Sequence, residues 1–271
     1  MRILRKLTDH IKMQASYITR PPYLRKVVHT SINGYELLTL ANEDVGRQII
    51  NLGRYEARES ILLSLSIRST DICLDIGANV GYYTMLMSQR ARDGQVHAFE
   101  PIPLNFHLLS AAIHMNNATN VVPNLCAVGD NEKEITFSQA ADSAFSSIVP
   151  VGRRSEVASI RTRMVTLDGY MKRQGLNGAN VVKIDVEGAE KVVIEGAGQL
   201  FSHPDTRPRL VLMELHGPSL AAYGTTVAEM VKTMTFYGYQ ACYPDKHGSP
   251  RPFEVEHYDY FYNVFFMQEA P

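Results

Sequence analysis

One run constrains this chain more than any other: Asp71-Ile72-Cys73-Leu74-Asp75-Ile76-Gly77-Ala78-Asn79-Val80-Gly81. It reads as a short apolar strand, a tight glycine turn, and a helix that begins near Val80 and runs to about Ala91. Gly77 lets the chain turn sharply, and Gly81 lets the first helical turn approach a ligand closely. In an open α/β sheet such a junction lies at the carboxyl edge of the strands, where nucleotide-like ligands bind. A second buried-looking strand, Gln95 to Phe99, ends in Glu100-Pro101, an acid 25 residues after Asp75. A carboxylate at that tip can accept hydrogen bonds from both hydroxyls of a ribose.

The spacing argues against a dinucleotide. A pyrophosphate loop uses three glycines to present bare N–H groups to an anion, with no negative charge beside them. Asp75 at the end of the first strand would repel a diphosphate and attract an ammonium or sulfonium. S-adenosylmethionine (SAM) carries both, with S-adenosylhomocysteine as its product. NAD-binding folds also place an acid at the second strand tip. Glu100 therefore indicates adenosine, and Asp75 supplies the discrimination. The competing role for both acids is helix capping.

The chain has 271 residues, enough for one large α/β domain with a modest cap. Apolar residues make up 45% and charged residues 20%, the balance of a globular protein with a real core. A net charge of −1 gives no reason to expect nucleic acid as partner. Cys73, Cys126 and Cys242 lie far apart in predicted strands and lack metal-ligand spacing. No metal is expected from such a set, although Asp185 and Glu187 leave magnesium open. No run of 18 apolar residues and no signal-peptide core occurs, so the expected location is the cytoplasm.

Residues 1–26 are basic, with Ile3, Leu4, Leu7 and Ile11 on one helical face. A helix packed on its own domain or on a second copy of the chain suits so short a stripe better than one resting on anionic lipid. Val27 to Leu40 reads as a β-hairpin around Asn33-Gly34. A helical stretch from Asp44 to Ser66 follows, with Tyr55-Glu56 at its middle. These first 66 residues form a cap segment, and residues 67–271 form the main domain.

Helix Pro103 to Met115 and strand Val121 to Val128 complete β-α-β-α-β, half of a doubly wound fold. Glu134 to Ser138 and Ile160 to Leu167 read as two strands around a polar loop holding Ser143, Ser146 and Ser147. Such a loop lines a substrate or is a solvated hairpin tip. Val181-Val182-Lys183-Ile184 is a central strand that opens through Asp185 and Glu187, and Lys183 and Asp185 share one side of the pleat. A helix from Ala189 to Leu200 follows. Arg209 to His216 is the fifth strand, Thr225 to Tyr237 a helix, and Tyr239 to Tyr243 and Tyr258 to Met267 the last strands. Residues 244–257 fit an antiparallel pair joined by a turn.

With these motifs read, the chain resembles the FkbM family of SAM-dependent methyltransferases. The resemblance rests on Asp75 to Gly81, Phe99-Glu100-Pro101, the Lys183 to Glu190 block and Glu214-Leu215-His216. It spans about Tyr55 to Met267, and the Lys183 to Glu190 block is its specific part. It implies a Rossmann-like, class I sheet of seven mostly parallel strands, the last antiparallel. It also implies methyl transfer to an oxygen, typically a hydroxyl of a sugar, glycolipid or polyketide-like product. By this likeness Asp75, Gly77, Asn79, Gly81, Glu100 and Pro101 would hold SAM, with Ala127 and Val128 along the adenine. Asp130 and Asp142 are candidates for the adenine amine.

A sugar hydroxyl is a poor nucleophile, so a general base is expected at the pocket edge. Asp185, Glu187 and His216 are the candidates. His216 has the most suitable ordinary pKa, but a histidine at a strand end also serves as a structural hydrogen-bonder. Lys183 beside Asp185 either anchors substrate or orders the strand exit. Tyr55 and Glu56 close over the pocket or belong to a structural helix. A SAM-binding protein without turnover, and a methyltransferase acting on protein or nucleic acid, are the other classes.

Overall fold

The structure, a computed structural model, describes residues 26–140, 156–255 and 261–268. The basic N-terminal helix, the loop with Asp142, Ser143, Ser146 and Ser147, and the strand start at Tyr258 fall outside these residues.

A hairpin comes first, β1 (Val27–Ile32) against β2 (Tyr35–Leu40). Asn33 and Gly34 both take positive φ, as the predicted type I′ turn requires. The expected single helix from Asp44 to Ser66 is two, α1 (Asp44–Leu52) and α2 (Ala57–Ser66). Gly53 caps α1 in the left-handed conformation, and Glu56 enters α2 with φ 40°, so the chain bends sharply between them. Tyr55 and Glu56 therefore sit in a bend, not mid-helix.

The glycine junction folds as predicted: β3 (Ile72–Ile76), the turn, then α3 (Tyr82–Arg90). After it come β4 (Gln95–Phe99), α4 (Pro103–Met115) and β5 (Val121–Asn124). The expected strand Val121 to Val128 divides, because Ala127 and Val128 (β6) leave the main sheet. Strand β6 joins β7 (Lys133–Ala140) and β8 (Glu156–Val165) in a small sheet of order β6-β8-β7. Helix α5 (Leu167–Gln174), which the sequence reading passed over, is capped by the Thr166 hydroxyl accepting from the Gly169 N–H.

Next are β9 (Val181–Ile184), α6 (Glu190–Glu195), α7 (Gly198–Ser202) and β10 (Leu210–His216). The expected helix Ala189 to Leu200 is thus split at Gly196-Ala197, where a Gly196 Cβ would meet the Gly129 carbonyl at 1.8 Å. The chain ends with α8 (Gly217–Ala222), α9 (Val227–Phe236), β11 (Tyr239–Pro244), β12 (Pro250–Pro252) and β13 (Phe261–Gln268).

The main sheet runs β12-β11-β13-β10-β9-β3-β4-β5. Strands β5, β4, β3, β9 and β10 are parallel, and β13 lies antiparallel between β10 and β11. This is the doubly wound, Rossmann-like arrangement expected, with the three-residue β12 added at one edge as an eighth strand. Alternation along the central strands builds a core on each face. Leu74, Ile76, Val182, Ile184, Val211 and Met213 pack with helices α5, α6, α7 and α9. Cys73, Val96, Val181 and Leu212 pack with α2, α3, α4 and the hairpin. Asn116, at the end of α4, pins the hairpin by accepting from the Glu36 N–H at 2.8 Å and donating to its carbonyl at 2.7 Å. Among the described residues no helix is long and apolar enough to cross a membrane.

Candidate active site

A cavity of about 430 Å³ opens over the carboxyl ends of β3, β4, β9 and β10, the place where a doubly wound sheet binds ligands. Its first half is built by the glycine turn. The Phe99 carbonyl accepts from both the Gly77 and Ala78 N–H groups, at 3.0 and 2.9 Å, which ties the turn to the end of β4. Gly77 has φ 79°, and a Cβ there would lie 1.8 Å from the Asp185 carbonyl oxygen. Only glycine satisfies both demands. Gly81, at φ 94°, lies behind the lining against Leu109 and starts α3.

Glu100 follows β4 and lines the cavity. Its two oxygens accept from the Asn79 N–H at 2.8 Å and the Ile102 N–H at 2.9 Å. Burial pushes its pKa up to about 7, against the lowering effect of those two donors. Asn79, Pro101, Ala127 and Val128 line the same half. Phe99, Ile102 and Cys126 add an apolar wall that the sequence did not single out. Asp130 is not part of the lining.

Asp75 lies beneath this surface and is 0% exposed. It shares its pleat face with Cys73, under α3, where the Thr84 hydroxyl donates to Oδ2 at 2.5 Å. Its pKa is raised by burial, with Lys183 and Thr84 opposing. The expected repulsion of a diphosphate therefore does not act from within the lining: the Asp75 charge meets Lys183 first.

Lys183 is the hinge of the site. Its register partner on β3 is Asp75, so their side chains share one face. The ammonium lies 3.6 Å from Asp75 Oδ1 and 3.1 Å from Asp185 Oδ2, and donates to the Gly77 carbonyl at 3.0 Å. It also stands 5.4 Å from the centre of the Tyr83 ring. Burial alone would lower its pKa; Asp185 and Asp75 outweigh burial and raise it. The sequence placed Lys183 beside Asp185, and the structure adds Asp75 and the turn.

In the second half, Asp185, Glu187 and Glu214 offer carboxylate oxygens that all lie within 4.8 Å of one another. Glu187 reaches this position from a left-handed backbone, φ 57°, just beyond β9. Glu214 comes from β10, opposite Asn263 on β13, and sequence reading missed it as a site residue. A polar residue set in the otherwise apolar Leu210 to Leu215 run was the available signal. All-oxygen donors of this kind suit hard cations such as magnesium over zinc, and equally suit the hydroxyl and amine groups of a ligand.

His216 is a correction. It is buried outside the cavity lining, where Nδ1 accepts from the Ser219 N–H at 3.1 Å and meets the Ser219 hydroxyl at 2.7 Å. It caps α8, because the strand ends immediately before a helix whose first amides need an acceptor.

Tyr55 and Glu56 do line the cavity. The Tyr83 hydroxyl donates to Glu56 Oε2 at 2.5 Å, and burial pushes the Glu56 pKa up to about 7. Tyr55 packs edge-on against both Tyr82 and Tyr83, with centroids at 5.2 and 6.3 Å. Asp44 and Glu59, also missed in the sequence, join this wall from α1 and α2.

Among curated relatives, Methyltransferase 1 of Beauveria bassiana (strain ARSEF 2860) is 25% identical over 45% of this chain and 57% of its own length. The match thus spans little more than half of that relative. The 31-O-demethyl-FK506 methyltransferase FkbM of Streptomyces tacrolimicus is 26% identical over 60% of this chain and 72% of its own. A crystal structure of methyltransferase FkbM from Methylobacillus flagellatus KT aligns with a TM-score of 0.47 and 14% identity, covering 74% of this chain and 44% of that one. The family model described as the methyltransferase FkbM domain matches residues 75–241, from the strand that carries Asp75 to the strand after α9. That match takes in more than half of the chain, including the glycine turn, Glu100 and the Lys183 to Glu190 block, and the chain belongs to the FkbM methyltransferase family.

Proposed function

We propose that this protein transfers a methyl group from SAM to a hydroxyl oxygen of a small hydroxylated acceptor, a sugar, glycolipid or polyketide-like product. The observation that carries the reading is the division of one cavity. A ribose-type carboxylate, Glu100, lies beside the glycine turn in one half, and three convergent carboxylates lie in the other. The cofactor residues fit SAM by their chemistry: Glu100 takes the ribose, Asn79 and Gly77 shape the turn, and Pro101, Ala127 and Val128 flank the adenine. When bound, SAM supplies an electrophilic methyl on a sulfonium.

The chain's own residues then have three tasks. The segment before residue 67 caps the acceptor side through Tyr55 and Glu56 and excludes water. The carboxylates hold the acceptor hydroxyl in line, and orientation of this kind supplies roughly 7–11 kcal/mol of barrier reduction. With SAM bound to supply the methyl, the Asp185–Glu187 pair would take the proton that the acceptor hydroxyl gives up. Lys183, 3.1 Å from Asp185 Oδ2, holds that carboxylate in place at the strand exit.

The test is methyl transfer from radiolabelled SAM to hydroxylated sugars, glycolipids and natural products. Transfer to at least one, lost in Asp185→Asn with SAM affinity kept within a few-fold, supports the reading. NAD binding without SAM binding in calorimetry would sink it.

A further inference from the structure

Five non-glycine residues among those described have positive φ: Asn33, Glu56, Asn79, Asn117 and Glu187. Asparagine tolerates the left-handed region, and glutamate adopts it rarely. The two glutamates, at φ 40° and 57°, both line the cavity. Glycine would relieve the backbone at either position, so what these positions need is the carboxylate side chain. Glu187 stands with Asp185 beyond β9, and Glu56 reaches the same cavity from the bend between α1 and α2.

The surroundings of Glu56 suit a proton acceptor. The Tyr83 hydroxyl on α3 donates to Oε2 at 2.5 Å, and the Asn263 side chain on β13 adds a second hydrogen bond that favours the ionised form. A base oriented by groups from separate elements is the arrangement that proton transfer uses. Burial lifts the Glu56 carboxyl to about 7 against those two donors, and the Asp185 and Glu59 charges add to the rise. The Glu56 charge acts in turn on Tyr55, Tyr82, Tyr83 and Lys183. Asp185, by contrast, has Oδ2 committed to Lys183 at 3.1 Å.

One proton per turnover comes off the acceptor hydroxyl as its oxygen gains the methyl, and the electron pair of the broken carbon–sulfur bond stays on sulfur. The Asp185–Glu187 pair must lose that proton before it can serve another acceptor. On the methyltransferase reading, we infer that Glu56 is a further catalytic residue, which draws the acceptor's proton from the Asp185–Glu187 pair and returns it to solvent when product leaves. Glu56 is partly exposed, which leaves it open to water once the cavity empties. It must be ionised at the start of each turnover, so turnover rises with pH as the carboxyl loses its proton.

The experiment uses the full-length chain, labelled SAM, and methyl glucoside, octyl glucoside and a hydroxylated macrolide as acceptors. The acceptor methylated fastest is carried into kcat measurements from about pH 5.5 to 9. In the wild type kcat should rise through a midpoint near 7. Glu56→Gln should lower kcat by about a hundredfold and abolish that rise, while S-adenosylhomocysteine affinity in calorimetry stays within a few-fold. Tyr83→Phe removes a donor that favours the ionised carboxyl, so its midpoint should move to higher pH. A Glu56→Gln kcat within a few-fold of wild type, a retained rise, or an unmoved midpoint in Tyr83→Phe overturns the inference. Where Glu56→Gln does not fold, Tyr83→Phe decides alone. Transfer to none of the three acceptors also overturns it, whereas the methyltransferase reading itself falls only if S-adenosylhomocysteine fails to bind as well.

Discussion

His216 illustrates how a residue type suggests a role that its neighbours have already taken. Its Nδ1 accepts the Ser219 N–H, so that nitrogen is committed to the first turn of α8. His216→Ala should lower stability by about 1 kcal/mol, the usual loss of a helix cap, and leave kcat close to wild type. Urea unfolding together with a turnover assay separates the two effects. Glu100 is the opposite case, legible from its position after the second strand. Glu100→Ala should weaken SAM by about 1.5–3 kcal/mol in calorimetry, the range for hydrogen bonds to a charged group. Part of that loss passes through the Asn79 and Ile102 amides that Glu100 holds. Asp75 was legible as an acid at a strand end, but not as one under the floor. Only the pairing of β3 with β9, a contact over more than a hundred residues, brings Lys183 across it. Glu214 escaped for the same reason, since a third carboxylate has meaning only once β10 lies beside β9.

Elements with a strong period were legible in the sequence, and breaks within them were not. The strand-turn-helix from Ile72 to Arg90 and the hairpin at Asn33-Gly34 could be read because glycine placement and alternation agree locally. The split of the Asp44 to Ser66 stretch depends on Gly53 and on Glu56 accepting a left-handed backbone, which tertiary contacts must impose. Strand Val121 to Val128 divides because β8 captures its last two residues, and β8 is far away in sequence. The turn between β3 and α3 offers a direct check. In Gly77→Ala the new methyl would collide with the backbone of Asp185 while the residue keeps φ 79°. The expected cost is at least about 3 kcal/mol, read as a lowered urea midpoint, with SAM binding lost in whatever protein still folds.

At the scale of the molecule, buried acids tie stability to pH. Burial raises both Glu100 and Glu190 from 4.5 to about 7. A carboxyl with a raised folded-state pKa gives stability that is fully present below 4.5 and lost as pH rises through about 7. The shift corresponds to about 3 kcal/mol for each group. The unliganded protein should therefore melt at a higher temperature at pH 6 than at pH 8, and Glu190→Gln should flatten that difference. A melting temperature that climbs from pH 6 to pH 8 would contradict the assignment. The sheet order carries a different consequence, through Lys183. One ammonium donates to the Gly77 carbonyl on the cofactor side and pairs with Asp185 on the acceptor side. Any ligand that pulls on one end of this link changes the other, and thermodynamic reciprocity makes the effect mutual. The two substrates should then report on each other's affinity by equal factors, in either order of addition. Lys183→Met, where the variant folds, should make the two binding events independent.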